Sequence, residues 1–269
     1  MQVETEKSYP NAREYVANLA AGGRYHFASA DARAALGTSI AATKLALNRL
    51  AKQRMIASPA QGFYVIVPPE YRSLGCLPAD QFIPALMKQL SLPYYAGLLS
   101  AAQYHGAAHH RPQQFQVMLA KNRRPISCGK VFVAFTARKR LSDVPVQSFN
   151  TPRGTIQIST PEATAIDLVG YQHSVGGLDN VVTVLSELAE KIDSEKLATA
   201  AAAVPLPWAQ RLGYLLERAG AETKALPLED YVRRHARQSA PLAPTTHYEH
   251  SHRNERWKLY INADVEVET

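Results

Sequence analysis

The sequence predicts the α+β fold class, and three observations support this prediction. Between residues 29 and 67, two short helical patterns are followed by two short apolar runs. Between residues 115 and 158, apolar side chains recur at every second residue in three segments, as is typical of strands. After about residue 170 the chain is mostly helical in pattern. We therefore expect a small N-terminal module followed by a larger mixed α/β domain with a mostly helical C-terminal part.

The N-terminal module begins with a helix predicted over residues 11–21, between a proline and a Gly-Gly pair. A second, short helix is predicted to be capped by Ser29 and to end before a turn at Gly37. Thr38 or Ser39 then caps a third helix of about fourteen residues. The buried stripe of that helix is predicted to contain Ile40, Thr43, Leu47 and Leu50.

Two apolar runs follow, at residues 55–57 and 63–67, and residues 58–62 between them are predicted to form a hairpin tip. Helix, turn, helix and hairpin in this order are typical of a winged helix-turn-helix, whose second helix enters the DNA major groove. The alternative is a small helical module that contacts only proteins. The residues predicted to bind DNA are Thr38, Ser39, Ala41, Lys44, Asn48, Lys52, Arg54 and Gln61.

A second domain is predicted over residues 69–269, because the module of residues 1–67 ends at Pro68-Pro69, where helix and strand patterns both stop. Helices are predicted at 79–90 and 94–105, and strands at 115–119, 131–135 and 155–158. Thr160-Pro161 supplies a cap and a first-turn proline for a further helix. The domain is expected to be mixed α/β to about residue 170 and mostly helical after it, with a polar surface loop at 239–254.

The charge of the chain is unevenly distributed around a net value of +7. Residues 81–142 carry nine Lys or Arg and no acidic residue, whereas residues 143–269 carry twelve basic and seventeen acidic residues. Two interpretations of the acid-free span stay open: a second surface for the DNA backbone, or a solvated sheet edge protected by its cations. The residues of this second basic surface are Lys121, Arg123, Arg124, Lys130, Arg138, Lys139 and Arg140.

The remaining sequence features argue against an enzyme, a metal site and a membrane protein. Phosphate-binding glycine loops and the G-x-S-x-G motif are absent. The histidines at 247, 250 and 252 lie in a charged loop and are expected to face solvent, while those at 105, 109 and 110 are expected to pack or to face water. Cys76 and Cys128 have no metal-type or redox-type spacing, and no signal peptide or membrane span is predicted, so we expect a reduced, cytoplasmic protein without cofactors.

Four stretches of the chain resemble AbiEi-family antitoxins. They are residues 25–71 with LNRLAKQRMIASPAQGFYVIVPPEY, residues 93–113 (PYYAGLLSAAQYHGAAHHRPQ), residues 159–169 (STPEATAIDLV) and residues 256–262 (RWKLYIN). The resemblance implies an antitoxin of a type IV toxin–antitoxin system, linked to abortive infection against phage. It further implies an N-terminal domain that represses its own operon at inverted repeats, and a C-terminal domain that neutralises a nucleotidyltransferase toxin, directly or indirectly.

One departure from a strongly basic DNA reader is visible in the predicted recognition helix. It offers Ala41, Ala42 and Leu45 where such a reader carries arginine, so we expect sparse base readout. The expected partners are double-stranded operator DNA and the toxin, with a monomer in solution that pairs on DNA. Two alternatives stay open: a stand-alone ligand-sensing repressor, and a nucleic-acid enzyme, which would need a carboxylate cluster that the sequence lacks.

Overall fold

The computed structural model describes residues 9–107 and 113–266. Within these residues, ten α-helices and twelve strands are mixed along the chain, so the predicted α+β class is confirmed. The helices are α1 (Ala12–Ala21), α2 (Ser29–Leu36), α3 (Ile40–Lys52), α4 (Ala79–Gln89), α5 (Leu98–Tyr104), α6 (Pro161–Gly170), α7 (Leu178–Leu188), α8 (Ser194–Ala201), α9 (Leu206–Arg218) and α10 (Glu222–His235).

The strands form three sheets. They are β1 (His26–Ala28), β2 (Ile56–Ala60), β3 (Phe63–Ile66), β4 (Tyr94–Ala96), β5 (Phe115–Leu119), β6 (Ile126–Cys128), β7 (Val131–Ala137), β8 (Val146–Thr151), β9 (Gly154–Ser159), β10 (Ala240–Pro241), β11 (His252–Asn254) and β12 (Leu259–Ile261). The strand orders are β1-β3-β2, β6-β7-β5-β4-β9-β8 and β10-β12-β11.

The chain forms two compact units, each built from more than one segment. The first contains the described residues of 1–94, 113–137 and 148–156, and the second those of 95–112, 138–147 and 157–269. This division does not fall at Pro68-Pro69, because Phe63 and Val65 of the hairpin share one apolar core with α4 and strands β5 and β7. A functional boundary at Pro68-Pro69 stays a prediction.

The N-terminal part of the first unit packs three helices against the three-stranded sheet. Tyr15 and Val16 of α1, Phe27 of β1 and Leu47 of α3 lie in one buried cluster. The ring of Phe27 stacks on Tyr64 of β3 at 5.5 Å between centroids. This cluster fixes the position of α3 against the sheet.

Two expectations about the N-terminal helices are wrong. Ser29 is the first residue of α2 and not its cap; the cap position is taken by Ala28, whose backbone N–H donates to the Asp31 carboxylate at 3.3 Å. Ile40 does not belong to the buried stripe of α3, since its side chain is 69% exposed. Ile40 lies in the first turn of α3, and the buried face of that helix begins one turn later, at Thr43.

The central sheet contains three strands that the sequence pattern does not predict, β4, β6 and β8. Strand β5 pairs with β7 in parallel, and β6 pairs with β7 antiparallel. Residues 94–96, expected in a helix, form strand β4 instead. Ala96 pairs with Ile158 of β9 in parallel, and the helix begins only at Leu98.

The second unit is mostly helical from α6 onwards, whereas the sequence predicts this change at about residue 170. Thr160 caps α6 by accepting a hydrogen bond from the Ala163 N–H at 3.4 Å, and Pro161 is its first residue. The expected loop at 239–254 contains the short strands β10 and β11. Within the described part of the chain, no helix has both the length and the apolar composition that crossing a membrane requires.

Candidate nucleic-acid interface

Helix α3 is held at its N-terminus by a set of local hydrogen bonds. Gly37 adopts a left-handed conformation (φ 59°), which ends α2 and turns the chain. Ser39 then caps α3 by accepting from the Ala42 N–H at 3.2 Å, as predicted. The Thr43 hydroxyl bonds to the Ser39 carbonyl at 3.0 Å and shares a 2.8 Å hydrogen bond with Thr38. The turn and the first helical turn therefore form one hydrogen-bonded unit.

All eight residues predicted to contact DNA have exposed side chains. On α3, Ala41, Lys44, Asn48 and Lys52 share a face, because they are spaced by three and four residues. The opposite face is buried through Thr43, Leu47 and Leu50. Thr38 and Ser39 precede the helix and Arg54 follows it, while Gln61 lies in the turn between β2 and β3.

The hairpin formed by β2 and β3 is tied to the helices through its turn. The predicted tip at 58–62 is shorter in the structure, because β2 extends to Ala60 with a register shift after Ala57. Gln61 and Gly62 alone make the turn, and the Gly62 carbonyl accepts from the Ser29 N–H at 2.9 Å. This bond connects the hairpin turn to the start of α2.

The chain segment that contains α3 carries charge of one sign. From Ala32 to Pro69 the chain contains five basic residues and no acidic one. The five are Arg33, Lys44, Arg49, Lys52 and Arg54, and all of them are exposed. Exposed cations of this kind attract the phosphates of nucleic acid.

Two large apolar side chains that are exposed on α3 are not among the predicted DNA contacts. Ile40 is 69% exposed and Leu45 is 54% exposed. Leu45 lies off the 3.6-residue stripe, a signal that is visible in the sequence. Ile40 carries no such signal, because its spacing to Thr43 fits the stripe and only tertiary packing leaves it outside.

The second basic surface is partly different from the expectation. In the first unit, Lys121, Arg124 and Lys130 are exposed, and the Arg123 guanidinium lies 5.9 Å from the centre of the Phe135 ring. In the second unit, Lys139 and Arg140 are exposed. Arg138 is not at the surface: its side chain is 10% exposed and forms an ion pair with Asp167.

The Arg138–Asp167 pair belongs to a buried polar cluster of the second unit. Arg138 Nε donates to Asp167 Oδ1 at 2.9 Å, and the Tyr95 hydroxyl donates to Asp167 Oδ2 at 2.6 Å. Burial raises the pKa of the Asp167 carboxyl, while Arg138 and the Tyr95 hydroxyl act in the opposite direction. The Arg138 guanidinium also lies 5.5 Å from the centre of the Trp208 ring. These contacts connect strand β4 and helices α6 and α9 to the start of the 138–147 segment.

Within residues 9–107 and 113–266, no group of three or more His, Cys, Asp or Glu side chains is placed to hold a metal. His105 is buried and its Nε2 bonds to the Ser159 carbonyl at 2.8 Å. His109 and His110 lie outside the described residues. Cys76 and Cys128 are free, buried thiols.

Part of this chain matches a known protein family, and its fold is similar to that of a solved structure. Residues 95–218 match the family model described as the AbiEi antitoxin C-terminal domain, so the resemblance noted from the sequence is confirmed for these residues. No curated protein matches the chain.

Among solved structures, the RV2827C protein from Mycobacterium tuberculosis has a similar fold. It is 17% identical, has a TM-score of 0.66, and is matched over 94% of this chain and 92% of its own. An antigenic nucleotidyltransferase-like protein from Paracoccidioides brasiliensis is 10% identical and covers 55% of this chain and 90% of its own. Its TM-score of 0.37 is too low to support any inference.

Proposed function

We propose that this chain, whose residues 95–218 match the AbiEi antitoxin C-terminal domain, represses its own operon and neutralises a nucleotidyltransferase toxin. The proposal divides the work between residues 1–67, which bind operator DNA, and residues 69–269, which act against the toxin. It assigns no catalytic step, metal or cofactor to the chain. The protein is a monomer in this proposal, and two copies bind the two halves of an inverted repeat.

The observation that carries DNA binding is the combination of shape and charge at α3. The order α1–β1–α2–α3–β2–β3 with a β1-β3-β2 sheet is the arrangement expected of a winged helix-turn-helix. In this arrangement α3 is the recognition helix and the turn at Gln61 is the wing tip. The exposed face of α3 carries Lys44 and Asn48. A lysine at this position can contact a phosphate or a guanine, and an asparagine can contact an adenine.

The family match supports the antitoxin role, because it covers residues outside the N-terminal module. Those residues include α6 and α9. Asp167 of α6 forms the buried ion pair with Arg138, whose guanidinium also lies over the Trp208 ring of α9. Repression alone would need only the DNA-binding module. The larger part of the chain is therefore assigned to toxin neutralisation.

The DNA-binding half of the proposal is tested with full-length protein and duplex DNA from the region upstream of its gene. We expect the variant Lys44→Ala/Asn48→Ala to fold normally and to bind this DNA about 1–3 kcal/mol more weakly for each base contact that it removes. The matched control, Lys196→Ala, removes an exposed lysine of the second unit and should leave the affinity unchanged. Equal affinity of the double variant and the unmodified chain would exclude α3 as the recognition helix.

The antitoxin half is tested by co-expression with the neighbouring gene product. Full-length Lys44→Ala/Asn48→Ala protein should still rescue growth, because neutralisation is assigned to residues 69–269. Loss of rescue by this variant at normal protein levels would contradict the division of labour. A gene neighbour without toxicity would contradict the toxin–antitoxin assignment itself.

A further inference from the structure

Two large apolar side chains of α3 point away from the protein. Ile40 is 69% exposed and Leu45 is 54% exposed. These two side chains are not part of the buried face of α3, which is formed by Thr43, Leu47 and Leu50. On a helix that is proposed to enter the major groove, exposed apolar side chains are available for contact with base edges.

The two side chains flank the predicted DNA contacts on the same helix face. At about 100° per residue, positions 40, 41, 44, 45 and 48 fall within about 140° of arc. Lys44 and Asn48 lie towards the middle of this arc, and Ile40 and Leu45 lie at its two edges. Ile40 is also the first residue of α3, where a recognition helix contacts base edges.

The surrounding charge favours DNA as the occupant of this surface. The five exposed cations between residues 32 and 69 have no acidic residue among them, which suits a phosphate backbone. The major groove offers apolar side chains one partner, the C5-methyl group of thymine, and Asn pairs with adenine. The apolar pair and Asn48 therefore fit the two halves of A·T base pairs.

We propose that Ile40 and Leu45 are specificity-determining residues that contact thymine C5-methyl groups in the major groove of the operator. This inference rests on the proposed DNA-binding function and adds the base class that is read. Recognition at these positions takes place through van der Waals contact and removal of apolar surface from water, not through hydrogen bonds. It accounts for a recognition helix with few polar base contacts.

The test uses one DNA duplex, the segment upstream of the gene that the protein protects in a footprinting experiment. The duplex is made in two forms, one with thymidine and one with deoxyuridine. Deoxyuridine lacks only the methyl group and keeps the base-pairing pattern. We expect wild-type protein to bind the deoxyuridine duplex about fourfold more weakly for each methyl group that it contacts in the thymidine duplex. The variant Ile40→Ala/Leu45→Ala should bind the thymidine duplex with a similar decrease in affinity, and its ratio of Kd values between the two duplexes should fall towards one.

The control variant is Leu92→Ala, which removes an apolar side chain that is 38% exposed and lies outside α3. It should keep the wild-type ratio of Kd values between the two duplexes, and thermal unfolding should show that all variants fold.

Equal wild-type Kd values for the two duplexes, or an unchanged ratio in the double variant, would overturn thymine recognition while leaving DNA binding intact. If wild-type protein shows no preference for the upstream duplex over competitor DNA, the proposed DNA-binding function fails as well. If the double variant keeps full DNA affinity but loses self-association or toxin co-purification, the surface binds protein and the inference is wrong.

Discussion

Arg138 and Asp167 form a buried ion pair in the second unit, with Arg138 Nε 2.9 Å from Asp167 Oδ1. The Asp167 side chain is fully buried, and its other oxygen accepts the Tyr95 hydroxyl hydrogen bond. Both carboxylate oxygens therefore have protein donors in place of water. Such a pair is costly to break from one side, because the remaining charge cannot reach solvent.

The first prediction concerns this pair. Arg138→Met leaves the Asp167 carboxylate buried without its cation, so we expect a loss of about 3–5 kcal/mol in unfolding free energy, measured by urea denaturation. Adding Asp167→Asn removes the unpaired charge and should recover part of this loss. Lys139→Met, at the exposed neighbouring position, should stay within about 0.5 kcal/mol of the wild type. If Arg138→Met is as stable as Arg138→Met/Asp167→Asn, the ion-pair account is contradicted.

A second prediction uses a close approach in the second unit. A methyl group on Gly213 in α9 would overlap the ring of Trp257, which is fully buried. Gly213→Ala should therefore lower the unfolding free energy by about 1–3 kcal/mol, although alanine is the better helix former. Gly22→Ala is the matched control, because a methyl group there meets only ordinary contacts at 3.5 Å and beyond. Thermal unfolding of both variants decides the matter: similar melting temperatures would show that Trp257 can repack.

The third prediction is a dependence of stability on pH. Burial lowers the pKa of His105 below its usual 6.5, despite the bond to the Ser159 carbonyl and the nearby Glu162. Near and below pH 6.5, His105 therefore binds a proton more readily in the unfolded chain than in the folded chain. The free energy of unfolding should decrease as pH falls from about 7.5 through 6.5, and it should level off below the folded-state pKa. Urea denaturation at a series of pH values measures this decrease.

The matched variant for this effect is His105→Gln, which does not titrate. It should show a weaker pH dependence than the wild type between about pH 7.5 and 5.5. A residual dependence is expected from His26, whose pKa is also lowered by burial. An unchanged slope in His105→Gln would show that this histidine is not the group responsible.

The fourth prediction separates the two interpretations of the basic residues in the first unit. If Lys121, Arg124 and Lys130 contact phosphates, replacing all three with alanine should reduce the slope of log Kd against log salt by about one unit for each contact. If they are a solvated sheet edge, the slope should match that of the wild type. Fluorescence anisotropy with operator DNA at several salt concentrations gives the slope. Lys196→Ala serves again as the control, since it changes net charge outside the first unit.

Local signals in the sequence are sufficient for the elements whose causes are local. Ser39 is predicted as one of two candidate caps of α3, and its hydroxyl does accept from the Ala42 N–H. The turn at Gly37 and the start of α6 at Thr160-Pro161 follow from backbone conformational preferences. Strand β5 follows from its two-residue apolar period. The cap, the turn and the helix start depend on interactions within a few residues, which is why a sequence pattern can report them.

Tertiary structure decided the features that depend on distant partners. Arg138 is expected at a basic surface, yet its ion-pair partner lies 29 residues away, and the hydroxyl that completes the cluster lies 72 residues from Asp167. Residues 94–96 form a strand because Ala96 pairs with Ile158. The sequence alone determined the α+β class, the exposed polar face of α3 and the resemblance to an antitoxin family, which the match over residues 95–218 confirms. Which charges are buried and which apolar side chains stay exposed was decided only by packing, because burial depends on neighbours that no local pattern can specify.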